Sequence, residues 1–561
     1  MPMDTGTAMR TKANWLVATT GAFCYCISGV TLAQVPVSAI TPIATPSDQN
    51  VPGAATLPYL GPLQDRPSDE PSIARAWTIT PRVTLTETFT DNIDLTTTDK
   101  QSGVISQLSP GIRIDARTAR LKMFIDYQLN AIAYSSGTND NQTQNALNAF
   151  GTLEAIDNWL FLDFGGQITQ EVINQFGQQS ASNIYNTGNT TETSTYNLSP
   201  YIKGQLGGEA DYLLRYNASV TNSSDNNISD ITLSQWLGQI KGNTRFQNLN
   251  WAVDGSQQNV TYSQVGLLPE QNYNDSRIRA LLSYRLFPEL RLSGSGGWES
   301  NNYQSVDNES QAIYGAGFNW TPTERTQASG FWEHRFFGTG HDVLLSHRFP
   351  LSSIRYTDTK DVVLIPQQFT NAGLGTVYDQ YFQIFASLIP DEASRDTYVR
   401  NLLNQAGLQP NDQAINNYLA NRPEVQRNQQ LSLVLFGSRN SITFIAGRRY
   451  NQPLTRAPNG LDGIVSEAGT YTQQGYAVSY SHRLTPLTGL NLLASHEKTK
   501  SGLTNELDTT LTTYQIGIST RLGAKTVGAL NARHQDFDGS DITTTPYKEN
   551  SLFASVTMVF N

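Results

Sequence analysis

The sequence predicts an all-β fold, a transmembrane antiparallel β-barrel of about 22 strands within a range of about 20–24. The chain has 25 Tyr, 22 Phe and 43 Gly but only 15% charged residues, a balance typical of polar, mostly uncharged barrel walls. From about residue 80 to the end, segments of roughly ten residues alternate apolar and polar positions, joined by short and long connections in turn. Beyond the N-terminal segment, no stretch reaches the ~18 consecutive apolar residues of a membrane helix, so strands must make any crossing.

Residues 1–33 have the pattern of a signal peptide. Arg10 and Lys12 precede a short apolar run, which ends in Thr31-Leu32-Ala33, with small residues at positions 31 and 33. A basic start, an apolar centre and a small-residue end are what signal peptidase requires. We therefore expect export and cleavage after Ala33.

Removal of this segment fixes the charge and redox character of the mature chain. Both cysteines, Cys24 and Cys26, lie within it, so no disulfide is expected. The full chain has 38 basic and 48 acidic residues; loss of two basic residues and Asp4 leaves 36 and 47, a net charge of −11. This acidic balance argues against nucleic acid as a partner.

Residues 34–78 form a Pro-rich stretch, predicted to be an extended periplasmic linker. The barrel is predicted over 79–561. Within it, 121–133 and 211–220 show clear alternation, with Asp126 on the polar phase of the first and Arg215 on that of the second. The period of two predicts strands with one apolar and one polar face.

The last strand, "SLFASVTMVFN" (551–561), places a phenylalanine, Phe560, one residue before the end. A C-terminal strand with a near-terminal Phe resembles the assembly signal of bacterial outer-membrane barrels. Outer-membrane lipid and the barrel-assembly machinery are therefore expected partners.

The connections predict an orientation. Tight turns recur at every second connection, and 240–275 is the one region that is hard to divide into strands. If both chain ends are periplasmic, the tight turns lie on the periplasmic side and the longer loops outside. The tight turns are predicted at 116–120, 155–159, 206–210, 286–290, 320–325, 348–352, 437–440, 484–489 and 522–525.

One segment, 366–425, lacks a strand pattern. Apolar residues recur there at helical spacing, including Tyr381, Phe382, Phe385 and Leu388. So long an insert in a barrel is usually functional or ordered by packing. A helical insertion is predicted, either capping the barrel outside or folding into the lumen as a constriction.

Residues 332–348, "WEHRFFGTGHDVLLSHR", hold three of the six histidines, His334, His341 and His347. A turn at Thr339-Gly340 is predicted, because glycine permits the positive φ of hairpin turns. The alternation then places Glu333 on one face of the sheet and His334 and His347 on the other. Side chains on opposite faces do not converge on one metal ion, which disfavours a metal site. The histidines are expected to be interfacial wall residues.

No pattern of catalytic residues is apparent: the sequence lacks the metalloprotease, nucleophile-elbow and phosphate-loop motifs. A barrel hydrolase would need a Ser–His pair on one face with an orienting group. We expect neither an enzyme nor a bound cofactor or metal.

Many arginines fall on the polar face of the predicted strands. Two interpretations of their role stay open. They could form a basic inner ring that attracts anions, or they could pair with luminal carboxylates and brace the wall. The lumen-facing candidates are Arg113, Arg117, Arg215, Arg285, Arg335, Arg348, Arg355, Arg449, Arg483 and Arg521.

The run "WTPTERTQASGFWEHRFFGTGHDVLLSHRFPLSSIRYTD" (320–358) resembles the PEP-CTERM system-associated outer-membrane β-barrel proteins. The first strand, "PRVTLTETFTDNIDL" (81–95), and the insert with "YDQYFQIFASLIPDEASRDTYV" (378–399) are similar to that family too. The resemblance implies a porin-like role associated with exopolysaccharide export or assembly in Gram-negative bacteria. It implies no catalytic residues.

Two other classes of function stay open. One is a non-conducting scaffold or adhesin that uses the insert as its binding surface. The other, a TonB-dependent receptor, requires a folded plug, which the short Pro-rich stretch at 34–78 does not predict.

Overall fold

The computed structural model describes residues 76–364, 422–454, 470–502, 507–540 and 544–560, apart from short gaps at 208, 245, 247, 267–268 and 306. It also describes five separate residues between 381 and 399. The predicted signal peptide and most of the Pro-rich linker, residues 1–75, lie outside the described part of the chain. The structural account below concerns these described ranges.

The fold is one closed antiparallel sheet of 22 strands, which confirms the predicted fold class and strand number. Each strand is hydrogen-bonded to its neighbours in chain order. The strands are β1 Trp77–Thr90, β2 Gly103–Arg117, β3 Leu121–Tyr134, β4 Gln142–Ile156, β5 Leu160–Val172, β6 Thr190–Leu206, β7 Ala210–Ser223, β8 Ile231–Asn243, β9 Leu249–Tyr262, β10 Gln271–Phe287, β11 Leu290–Asn301, β12 Glu309–Thr323, β13 Thr326–Arg335, β14 Gly338–Arg348, β15 Ser352–Val363, β16 Glu424–Phe436, β17 Asn440–Pro453, β18 Tyr471–Arg483, β19 Thr488–Ser501, β20 Asp508–Gly523, β21 Thr526–Gly539 and β22 Tyr547–Val559.

The barrel closes between its first and last strands. β1 pairs with β22 from Arg82↔Val559 to Thr90↔Ser551. The hydroxyls of Thr84 and Thr557 lie 2.9 Å apart across this seam. Closure leaves no unpaired sheet edge, as a lipid environment demands.

The two faces of the wall differ as the alternation predicts. On β10, Ile278 and Leu282 are more than half exposed on the outer face. Arg279 and Leu281, which lie between them in the sequence, are buried on the inner face. The same register places Asp126 and Arg215 inside, on the phase predicted from 121–133 and 211–220. The outer face is apolar and the inner face is polar, as in membrane-spanning barrels.

The two rims of the barrel have different connections. Nine predicted tight turns and a tenth at 244–248 lie at the rim that also holds the start of β1 and the end of β22. We call this rim the turn end and the opposite rim the loop end. By the usual orientation of such barrels, the turn end is periplasmic.

The predicted turn between β13 and β14 was wrong. Phe336 and Phe337 form this turn, and Trp332 pairs with His341 rather than with His347. The glycine that follows, Gly338, has a φ of 95°, so it supplies the positive φ required. The observed cross-strand pairing differs from the predicted pairing by an even number of residues. Each residue therefore keeps its predicted inner or outer face.

Of the predicted helical insert 366–425, only Tyr381, Phe382, Phe385, Arg395, Val399 and the residues from Arg422 onward are described. Four of the five separate residues have helical backbone, which is too little to delimit a helix. Leu388 lies outside the described residues. The helices therefore stay a prediction, and the insert ends before β16 begins at Glu424.

Within the described ranges, no helix has the length and apolar character needed to cross a bilayer.

Candidate functional site

The lumen holds the candidate functional residues. The strand register places all ten predicted arginines on the luminal phase: Arg113, Arg117, Arg215, Arg285, Arg335, Arg348, Arg355, Arg449, Arg483 and Arg521. Sequence reasoning missed Arg277 and Arg279 of β10, because the region before them was not divided into strands. The alternation of Tyr273, Asp275, Arg277 and Arg279 could have revealed them.

Arg279 is the centre of the largest ion-pair network. Its guanidinium donates to Asp254 of β9 at 3.0 and 3.1 Å and to Glu333 of β13 at 3.1 Å. The Arg277 guanidinium lies 3.9 Å from the same Glu333. Arg279 is 0% exposed, so its charge is stabilised by these carboxylates and not by water.

Arg335 extends this network along β13 towards the loop end. It donates twice to Glu299 of β11, at 2.7 and 2.9 Å, and once to Asp361 of β15, at 2.8 Å. All three side chains are buried. A planar guanidinium thus joins strands on both sides of β13, which supports the bracing interpretation for this arginine.

A second group of ion pairs lies across β1–β7. Arg113 forms a two-pronged contact with Asp115 at 2.8 and 2.9 Å. Arg215 of β7 lies 2.9 Å from Asp163 of β5, which is nearly inaccessible. A third pair joins Arg82 and Asp126 at 2.5 Å. The Arg113 pair lies within β2, whereas the other two pairs each join strands that are two apart in the sheet. All three neutralise arginines that otherwise would present positive charge to the lumen.

A ladder of side-chain amides connects these two groups. Asn217 donates to Gln235 at 3.1 Å, Gln235 to Gln258 at 3.0 Å and Gln258 to Asp275 at 3.3 Å, with Ser199 joined at the far end. The ladder crosses five strands, β6 to β10. All its members are buried, so the lumen beside them is filled.

Aromatic residues narrow the loop end of the lumen. Tyr262, Tyr273 and Tyr303 pack in sequence, with ring centroids 5.7 and 6.0 Å apart. The turn residue Phe336 continues the stack 5.4 Å from Tyr303. The Tyr262 hydroxyl donates to the carbonyl of Leu364, six strands away, so this cluster spans part of the mouth.

The loop between β5 and β6 crosses the other side of the mouth. Tyr185, buried in this loop, donates to Glu549 of β22, and the Tyr547 hydroxyl donates to the loop carbonyl of Gln179 at 2.7 Å. Burial raises the pKa of Tyr185, so its hydroxyl stays protonated as a donor. The loop is thereby held to β22, five strands from β5 around the barrel.

The described residues of the insert lie inside the barrel, near the turn end. The Phe385 ring is 5.8 Å from Phe436, the last residue of β16, and stacks on Tyr381 at 6.3 Å. Tyr381 is hydrogen-bonded to Ser479, a luminal residue in the lower part of β18. β15 and β16 connect to the insert at the loop end, whereas Phe385 and Tyr381 contact the wall near the turn end.

The arginines at the turn end have different contacts from those in the middle of the wall. Arg521 donates to the carbonyls of Gly523 and Ala524, at 3.0 and 2.7 Å. Arg483 donates to the carbonyl of Ser438 at 3.5 Å. With half-buried Arg348, they form a basic rim where the lumen opens.

The histidines lie on the outer wall, as the register shows for all six. His334 stacks on Tyr314 at 5.1 Å, and His347 contacts Phe349 at 4.3 Å. In the described ranges, no group of three or more side chains is placed to bind a metal ion. His341 alone of the three in 332–348 contacts a carboxylate, that of Asp358 at 2.9 Å.

Comparison with known proteins gives likenesses among solved structures only. No protein-family model matches the chain, and no curated protein matches it. The chain is similar to the FrpB iron transporter of Neisseria meningitidis, at 10% identity and a TM-score of 0.48, over 87% of this chain and 82% of that one. It is also similar to the outer-membrane protein OpdK of Pseudomonas aeruginosa, at 8% identity and a TM-score of 0.33, over 86% and 99%. The function of this chain therefore has to be inferred from its own geometry.

Proposed function

We propose that this chain is an outer-membrane β-barrel that forms a constricted, porin-like passage associated with exopolysaccharide export or assembly. The closed sheet and the apolar outer wall support the membrane location, because only closed barrels and helices satisfy their backbone in lipid. The predicted signal peptide at 1–33 supplies the export route. The resemblance of 81–95, 320–358 and 378–399 supports the link to exopolysaccharide.

The position of the insert carries the proposal. Phe385 and Tyr381 are buried against Phe436 and Ser479 at the turn end, although the insert begins and ends at the loop end, which supports a luminal position for the insert. A cap on the outside would leave these wall residues uncovered. A luminal segment anchored by a few aromatic contacts is suited to gating, since its displacement would open the barrel without changing the wall.

The chemistry of the lumen suits a polyhydroxylated chain. The inner wall carries neutral amides such as Asn217 and Gln235, which are buried and hydrogen-bonded to each other and would donate to and accept from a polymer only once the lumen opens. Aromatic faces lie at the mouth, in the Tyr262–Tyr303 cluster, and basic side chains lie at the turn end. A polysaccharide that enters from the periplasm would meet the basic rim first, which favours an anionic polymer.

The test is planar-bilayer conductance of the refolded barrel with and without the insert. Residues 366–421 are replaced by a short Gly-Ser linker, which keeps β16 intact; Val363 and Glu424 are paired neighbours, so a short linker suffices. We expect single-channel conductance to rise, and added anionic polysaccharide to block the open variant reversibly. A matched control replaces the loop-end residues 224–230 with the same linker and should leave conductance unchanged.

The competing class is a non-conducting scaffold or adhesin. Unchanged conductance after removal of 366–421, together with lost binding of polymer or cell surface, would contradict the passage and favour the scaffold. The described contacts of Phe385 and Tyr381 inside the barrel argue against a binding surface presented outside.

A further inference from the structure

The outer wall carries a row of basic residues at the loop end of β15–β19. Lys360 pairs directly with Arg427, and Arg448 lies opposite Gln429 on one side and Gln474 on the other. The register places all of them on the outward phase, with Arg448 and Lys500 exposed. The row comprises Lys360, Arg427, Arg448, Lys498 and Lys500.

A buried carboxylate organises this row on a face that otherwise meets lipid. Asp358, 7% exposed, accepts hydrogen bonds from Arg427 at 2.9 and 2.6 Å and from Gln429 at 3.0 Å. It also contacts the His341 ring at 2.9 Å. Asp358 thus fixes Arg427 in place, and Asp508 pairs with Lys498 at 2.8 Å. Lys360, Arg448 and Lys500 leave the patch with an excess of positive charge.

The depth of the row matches a headgroup layer. On β16, the outward residues from Leu435 to Leu431 are apolar, and Gln429 and Arg427 follow. Eight residues from Leu435 to Arg427 span roughly 26 Å at ~3.3 Å per residue. At a strand tilt near 40° this is about 20 Å of depth, close to the ~25 Å apolar band of such barrels. The row therefore lies where the outer leaflet changes from acyl chains to headgroups.

An apolar groove of about 870 Å³ runs along the outer wall of β18–β22 and β1, beside this row. The bulky Tyr480, Tyr514 and Phe89 stand out from the wall, and small residues such as Ala494 and Ala532 form the floor between them. On β19 the groove residues Leu492 and Ala494 share the outward phase with Lys498 and Lys500, and His496 lies between them. Groove and basic row are thus neighbours on one strand, separated by one outward side chain.

We propose that this face, the basic row together with the apolar groove, binds a phosphorylated glycolipid of the outer leaflet. The groove accepts an acyl chain, and the phosphate groups lie against the basic row. Phosphate fits because its oxygens accept several charge-assisted hydrogen bonds from guanidinium and ammonium groups at once. The inference depends on the outer-membrane location in the proposed function but not on any passage through the lumen.

The test is native mass spectrometry of the full, detergent-solubilised barrel titrated with bis-phosphorylated lipid A. A triple variant, Lys360→Gln, Arg448→Gln and Lys500→Gln, spares Arg427 and its contact with Asp358. We expect the apparent Kd to rise by roughly tenfold or more, given the usual contribution of each basic residue near an anionic surface. The matched control neutralises three exposed basic residues at the turn end, Arg325, Arg439 and Lys525, and should leave the Kd unchanged.

Two further arms test the parts of the site separately. Ala494→Trp fills the groove and should weaken lipid A binding while the basic row stays intact. Single Arg448→Gln should produce a smaller loss than the triple variant, which keeps the test valid if the triple variant fails to fold. Equal binding by the triple variant and wild type overturns the proposal, and so does displacement of lipid A by millimolar inorganic phosphate, which would indicate a free-anion site.

Discussion

The arginines of the middle wall and those of the turn-end rim share a residue type and a strand phase, yet their surroundings differ. Arg279 and Arg335 are buried and each contacts two carboxylates. Arg483 and Arg521 contact backbone carbonyls at the opening. The comparison shows that luminal phase does not define the contacts of an arginine: the first pair binds buried carboxylates across the wall, whereas the second pair donates to backbone carbonyls at the rim.

The largest expected effect comes from Arg279→Ala. This change leaves half-buried Asp254 without the Arg279 donor and buried Glu333 with the longer 3.9 Å ion pair to Arg277, and breaking a buried ion pair costs about 3–5 kcal/mol. We expect the midpoint of urea unfolding, followed in lipid vesicles by tryptophan fluorescence, to fall markedly. Arg348→Ala is the control and should change the free energy of unfolding by less than about 1 kcal/mol. Equal destabilisation by the two substitutions would contradict the distinction between brace and rim.

A second expected effect is on ion selectivity. Arg348→Ala combined with Arg483→Ala removes positive charge where the lumen opens, so the preference for anions should fall in bilayer measurements of reversal potential. Because Phe385 and Tyr381 of the insert contact the wall near this opening, the change is best measured in the variant that lacks 366–421. Unchanged selectivity would assign these arginines to the wall as well.

A change of salt concentration should separate the arginines of the turn-end rim from the buried arginines of the middle wall. The Debye length falls from ~10 Å at 0.1 M to ~3 Å at 1 M salt. We expect the anion preference set by the exposed rim to weaken at high salt, whereas the stability contributed by buried Arg335 should change little. Unfolding midpoints and reversal potentials, measured at both salt concentrations, separate the two. An anion preference that persists unchanged at 1 M salt would point to buried charges as its source.

The smallest effect is expected at the outer-wall histidines. His334→Phe keeps an aromatic ring against Tyr314 and should alter the free energy of unfolding by less than about 1 kcal/mol. Addition of Zn²⁺ should leave the unfolding midpoint of wild type unchanged. An unfolding midpoint that rises with Zn²⁺ in wild type but not in the His334→Phe variant would support a metal site at His334, contrary to the prediction from the alternation.

Much of the fold follows from local patterns in the sequence. The period-two alternation of 121–133 predicts both a strand and its faces, and the repeated tight turns predict the strand number. The hairpin of 332–348 shows the limit. Glycines at 338 and 340 permit turns at more than one position, and the choice of Phe336-Phe337 depends on packing against Tyr303, which is distant in sequence.

The candidate site was less predictable than the fold. Alternation identifies luminal arginines, but it does not say which carboxylate lies opposite each one. The partner of Arg335 on β15, Asp361, and its partner on β11, Glu299, follow from the register of intervening strands. The location of Phe385 likewise depends on its contact with Phe436, which no periodicity encodes.

The pairing of β15 with β16 has a consequence for the architecture. These strands are hydrogen-bonded from Ser352↔Leu435 to Val363↔Glu424, so they form an ordinary hairpin of which the insert is the loop. The barrel seam between β1 and β22 is likewise an ordinary strand pair. The wall is therefore one continuous sheet, and the insert is a module carried by the β15–β16 loop. Such a module could be exchanged or lost between related barrels without rebuilding the wall.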